Sequence, residues 1–179
     1  MVDPDISKQQ AKLEASVGDV LTRARELGAG QAEASASAGA GLSVTVRKQE
    51  TETLEYHRAQ GLTVTVYIDS RKGSASTSDL SPGSLGETVD KACSLARYGA
   101  PDEAAGLADA GRMATEFPDL QLYFPWSLGT DQAIDLAREC EAAALDHDKR
   151  INNSEGATVS SHEGCRVYGN SHGFLAGYP

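Results

Sequence analysis

The sequence predicts an α+β fold: an antiparallel β-meander covered by helices, followed by a helix and the start of a second β-rich region. Three observations predict it. Apolar residues recur at three- and four-residue spacing in three separate stretches, which is helical periodicity. Elsewhere they alternate with polar residues, as one-sided strands do. The alternating stretches are joined by connections too short for the crossovers that parallel strands require.

The first helix is predicted over Ser7 to Leu27, where Leu13, Val17, Val20, Leu21, Ala24 and Leu27 stack on one side. Gly28 supplies its left-handed stop. Ala32, Ala34, Ala36 and Ala38 then alternate with polar residues, and Leu42, Val44 and Val46 resume the alternation beyond Gly39-Ala40-Gly41. Two strands joined by a tight glycine-rich turn are the simplest reading. A third strand is predicted over Glu52 to Arg58, and Gly61 separates it from Leu62 to Ile68, whose aliphatic side chains share a face. Gly73 to Ser78 should pair with it across Asp69-Ser70-Arg71-Lys72.

Ser81-Pro82 opens a second helix, with Ser81 as cap and Leu85, Val89, Ala92, Cys93 and Ala96 as its apolar stripe. Ala100 to Asp119 reads as a surface connection. Leu120 to Tyr123 reads as a short extended piece, and Thr130 caps a third helix. On that helix Ala133, Leu136, Ala137, Cys140, Ala143 and Ala144 are expected to face inward, with Asp135, Arg138, Glu139 and Glu141 in water. Strands follow from Ala157, with turns at Glu163-Gly164 and around Asn170 to Gly173. The resulting division is a domain over 1–99, a linker over 100–119, and a helix plus hairpin segment over 120–179 that leads into a missing C-terminal domain. The apolar run Gly173 to Tyr178 reads as a strand whose partners lie further along a longer chain.

With 179 residues, 40% of them hydrophobic, the chain can bury a core without disulfide or metal staples. Its formal net charge of −10 excludes a broad basic face for nucleic acid or anionic membrane. No apolar run reaches the roughly 20 residues of a membrane helix, and Met1 to Gln10 lacks the apolar core of a signal peptide. Cys93, Cys140 and Cys165 are scattered and contain no CxxC pair, which fits a reducing cytoplasm.

The residues that could carry chemistry fall short of a site. His162-Glu163 begins a zincin motif whose second histidine is absent. His162, Cys165 and His172 could meet on a metal, but no spacing among them is diagnostic. Ser74 to Ser78 with His57 as base lacks a nucleophile elbow. Cys93 and Cys140 lie on apolar stripes as small hydrophobes, and His57 and His147 stand alone. The glycines at 28–30 and 39–41 lack phosphate-binding spacing. No catalytic, cofactor-binding or metal-ligating residue is therefore assigned.

Several blocks in order nevertheless resemble a known family. Gly41 to Arg47, Glu52 to Tyr56, Arg71 to Leu80, Glu139 to Leu145, Asn153 to Ala157 and Tyr168 to Phe174 resemble the N-terminal region of the PmbA (TldE) branch of the TldD/PmbA metalloproteases. The resemblance implies a longer chain with a β-rich C-terminal domain. It also implies a homologous TldD-type partner subunit in a cytoplasmic protease of small or unfolded peptides. Zinc is expected in that partner, on a His-Glu-x-x-x-His motif outside the matched region, and no cofactor in this part of the PmbA-type chain. A non-enzymatic module that modulates DNA gyrase is the alternative that the resemblance leaves open.

Overall fold

A computed structural model describes residues 6–179; residues 1–5, part of the polar start read above, lie outside the described residues. Helix α1 (Ile6–Glu26) precedes strands β1 (Gln31–Arg47), β2 (Glu50–Ile68) and β3 (Arg71–Thr77). Helices α2 (Pro82–Tyr98) and α3 (Thr130–Asp146) follow, then β4 (Ala157–Asn170) and β5 (Leu175–Tyr178). The strands form one antiparallel sheet in the order β3-β2-β1-β4-β5. By internal contacts the chain divides into two compact units. One takes in the chain up to Ala38 with Ala59–Tyr123 and Gly164–Pro179; the other takes in Gly39–Arg58 and Phe124–Glu163.

In the first unit, α1 ends where the sequence says it should. Gly28 adopts φ +87°, and the Ala29 N–H reaches back to the Ala24 carbonyl at 3.0 Å. Leu13, Val17, Val20 and Ala24 of α1 and Leu85, Val89, Ala92, Cys93 and Ala96 of α2 share one core. Against them lie Ala32 to Ala38 at even positions, Leu62, Val64, Val66, Cys165 and Val167. Each buried Val or Leu contributes about 1.5–3 kcal/mol, so this stripe-on-sheet contact is what holds the layers together. The alanines of β1 and Gly73 of β3 keep that face shallow. A Cβ at Gly73 would collide with the Ala92 carbonyl of α2 and come 2.5 Å from the Ala96 nitrogen.

β2 and β3 pair from Leu62↔Thr77 to Ile68↔Arg71, turning through Asp69-Ser70. That turn is two residues long, not four, and both residues sit at positive φ, 48° and 59°. A two-residue link of this hand matches the right-handed twist of the strands it joins. β5 finds its partner within the chain, pairing with β4 from Arg166↔Tyr178 to Gly169↔Leu175. The Asn170 side chain shapes the turn between them, its Oδ1 accepting the His172 N–H at 3.0 Å, and Gly173 takes φ +92°.

In the second unit, Leu42, Val44 and Val46 of β1 pack with Leu128, Ala133 and Ala137. The side chain of Glu141 lies in the same unit, 1% exposed, where the sequence reading had placed it in water. It accepts the Lys48 and Gln49 backbone N–H groups, each at 2.7 Å, and the Gln49 side-chain amide at 3.1 Å. Lys48 and Gln49 are the β1–β2 turn, at φ 54° and 65°. The carboxylate therefore satisfies the amides of a left-handed turn that contains no glycine. Leu136, Cys140, Ala143 and Ala144, expected inward, are exposed, because the buried stripe is Ala133, Ala137 and Glu141.

Six further expectations are corrected. β1 runs unbroken through Gly39-Ala40-Gly41, β2 through Gly61, and β4 through Glu163-Gly164, so none of these is a turn. Gly39 and Gly41 serve close approach instead of reversal. Ser81 occupies the N-cap of α2 but gives no side-chain cap; its hydroxyl donates to the Asp79 carboxylate at 3.0 Å. Gly129, not Thr130, is the N-cap of α3, and its N–H donates to Gln132 Oε1 at 3.1 Å. Leu120 to Tyr123 lies outside the strands.

Candidate functional site

One face of β1 is apolar and the other is polar, and the polar face carries the groups able to act on a ligand. In the first unit, Ser35 and Ser37 of β1, Thr63 of β2, Ser76 of β3, Ser78 and Arg166 of β4 line a depression of about 430 Å³. Gly61 and Leu62 complete its floor with Thr77. Thr63 and Ser76 stand opposite each other in the β2–β3 register, so they share this face. The placement follows from period-two alternation: every residue that buries an alanine or valine on the helix side turns its neighbours to this side.

Next to this depression in the same unit, Glu33 bridges two tyrosines across the sheet. Its carboxylate accepts the Tyr67 hydroxyl at 3.0 Å and the Tyr168 hydroxyl at 2.9 Å. Burial, reinforced by the bond to Glu33, pushes Tyr67 up to about 12. Burial also raises Tyr168. Both phenols therefore stay protonated as donors at any physiological pH, which suits a fixed cross-strand clasp and not a general base. Nothing in the sequence marks Glu33 as different from Ser35 or Ser37, since the clasp depends on residues 34 and 135 positions away.

In the second unit the polar face carries an imidazole pair. His57 Nε2 and His162 Nδ1 are 3.3 Å apart, with ring planes inclined by 8°. The rings reach each other over Gly39 and Gly41. A Cβ at Gly39 would fall 3.0 Å from the His162 ring, and one at Gly41 would overlap the His57 ring and lie 2.7 Å from the Ser161 carbonyl. This is the reason for two glycines in mid-strand. One ring must donate and the other accept.

The remaining candidates are dispersed. Ser74 donates to the Val64 carbonyl and Thr77 bonds Ser84, so both serve strand and helix entry. His57 meets His162 and not a serine. Cys93 and Cys165 are buried and Cys140 is exposed, which moves Cys140 off the apolar stripe assigned to it. Burial raises the thiol pKa of both Cys93 and Cys165. Among the described residues no three His, Cys, Asp or Glu side chains converge as metal ligands. His162, Cys165 and His172 thus form no cluster, and the described residues do not fit a catalytic metal, whose protein ligands usually number three. Among the described residues no helix is long and apolar enough to cross a membrane.

Comparison with known proteins decides the family. Residues 32–96 match the model for PmbA/TldA metallopeptidase domain 1, and residues 123–179 match that for the PmbA/TldA metallopeptidase central domain. The chain belongs to the PmbA branch of the TldD/PmbA metallopeptidase family. It is 49% identical over 127 residues to metalloprotease PmbA of Escherichia coli O157:H7, covering 71% of this chain and 28% of that protein. A metalloprotease PmbA homolog of Haemophilus influenzae is 46% identical over the same shares. The chain thus spans somewhat more than a quarter of the length of these relatives. Among solved structures, a Bacteroides thetaiotaomicron protein described as a candidate modulator of DNA gyrase superposes with TM-score 0.82 at 28% identity, over 92% of this chain and 38% of that one. TldE from Thermococcus kodakarensis shares the fold, with TM-score 0.72 at 17% identity over 91% of this chain and 36% of that one.

Proposed function

We propose that this chain is part of a PmbA/TldE-type subunit of a cytoplasmic metalloprotease that degrades or matures small or unfolded peptides. In this reading it supplies shape and peptide contacts. Hydrolysis takes place on zinc in a homologous TldD-type subunit. The single observation that carries the reading is the pair of family matches in the expected order, at 32–96 and 123–179, joined to PmbA relatives bearing a metalloprotease name. The stretch between the two matches also supports a division into 1–99, a linker over 100–119, and 120–179. The compact units cut across that division because β1, β2 and β4 contribute to both.

The test mixes the full-length PmbA-type protein with a TldD-type subunit and an unfolded peptide. Cleavage that needs both proteins and zinc, and that stops with a chelator, supports the reading. Absence of cleavage together with co-purification of gyrase would overturn it in favour of a gyrase-binding module.

A further inference from the structure

The depression on the polar face differs from the rest of the molecule in charge. The chain carries 26 acidic and 16 basic side chains, yet no acid lines this hollow and its one charged group is Arg166. Among the described residues the Arg166 guanidinium makes no ion pair or side-chain hydrogen bond, and neither do the hydroxyls of Ser35, Ser37, Thr63, Ser76 and Ser78. Five hydroxyls and a planar five-donor fork are thus gathered around one volume with no side-chain partner among the described residues. The volume, about 430 Å³, lies in the range of small-ligand sites and accommodates the end of a peptide.

We propose that this depression binds a peptide by its carboxylate, with Arg166 holding the two oxygens and the surrounding hydroxyls taking the adjoining main chain. A guanidinium matches a carboxylate with two parallel N–H···O bonds, which an ammonium cannot reproduce. Hydroxyls both donate and accept, so they serve backbone N–H and C=O groups whatever the side chains. A single positive charge suits a singly charged carboxylate. A phosphate dianion would call for more than one cation, and the net charge of −10 repels multivalent anions. The proposal deepens the peptide reading given above and rests on it for the ligand class.

The test is calorimetric titration of the protein with a short unfolded peptide as its free acid, as its C-terminal amide, and as an amide containing an internal Glu, with inorganic phosphate alone as a further probe. The free acid should bind roughly 10- to 100-fold more tightly than the amide, the range for a hydrogen bond to a charged group. Preference for the acid should vanish in Arg166→Gln, survive in weakened form in Arg166→Lys, and shrink with added salt. Tighter binding of the Glu-containing amide than of the plain amide, again lost in Arg166→Gln, would assign the site to side-chain carboxylates and still support it. Equal affinity for acid and amide forms, an acid preference that persists in Arg166→Gln, or phosphate binding more tightly than the peptide acid would overturn it. The readout is binding, so its outcome is separate from cleavage. An acid preference without hydrolysis in any mixture would sink the protease reading alone, whereas hydrolysis with equal acid and amide affinities would sink this site alone.

Discussion

Replacing Gly73 by alanine should strip α2 from the sheet to a measurable degree. The new Cβ would lie 2.5 Å from the Ala96 nitrogen, where ordinary contact begins at 3.4 Å, and closer still to the Ala92 carbonyl. Both are main-chain atoms of α2, so no side chain can swing aside. The helix must back away by about 1 Å, and a gap of that size forfeits a quarter to half of each van der Waals contact it opens. Leu85, Val89, Ala92, Cys93 and Ala96 all share the core through this helix. The cost should therefore sit at the upper end of overpacking, about 3 kcal/mol. For a chain of this size that lowers Tm by roughly 6–12 °C. The assay is urea unfolding followed by far-UV circular dichroism, with Gly83→Ala as control. Gly83 lies in the first turn of α2 and its Cβ would meet nothing within 4 Å, so the control should gain about 0.5–1 kcal/mol. A Gly73→Ala loss below about 0.5 kcal/mol, beside a normal control, would refute the claim that helix and strand main chains touch here.

Three shorter predictions accompany it. Ser70→Gly should stabilise by about 1 kcal/mol in thermal unfolding, because Ser70 bears a side chain at φ 59° and glycine removes that clash; an unchanged or lower Tm would contradict the left-handed turn. In native protein a thiol reagent should modify Cys140 quickly while Cys93 and Cys165 react only on unfolding, since these two are buried with raised pKa values; three fast thiols would contradict the packing. The Gln49 N–H chiefly, with that of Lys48, holds the Glu141 carboxyl below its usual value, so Glu141 stabilises the fold above the unfolded carboxylate range near 4.3 and loses that contribution as pH falls through the lower folded value. The Tm gap between wild type and Glu141→Gln should accordingly be wide at pH 7 and narrow in acid; a gap independent of pH would contradict the turn-capping role.

Much of this fold was legible because it is written in local periodicity. Leu13 to Ala24 and Leu85 to Ala96 mark their helices, and the β2–β3 hairpin follows from alternation around Asp69-Ser70. The misreadings share one physical origin. Gly39 and Gly41 look like turn residues, yet they are empty so that His57 and His162, far away in sequence, can lie across the strand. Glu141 reads as a solvated charge on α3, yet it is buried because the amides of Lys48 and Gln49 need an acceptor. Arg166 and the serines around it look like ordinary exposed positions of separate strands, and only the sheet order β3-β2-β1-β4 collects them. Each case turns on a partner that no window of neighbouring residues contains. Family resemblance supplied what periodicity could not, the link to the TldD/PmbA metallopeptidase family.

The most direct test of the account incubates this 179-residue chain alone with an unfolded peptide and added zinc, and follows the peptide by mass spectrometry. The account predicts that the peptide stays intact until a TldD-type subunit joins the full-length protein. Fragments appearing with this chain alone, and disappearing with a chelator, would show that these residues cleave the bond themselves and would contradict it.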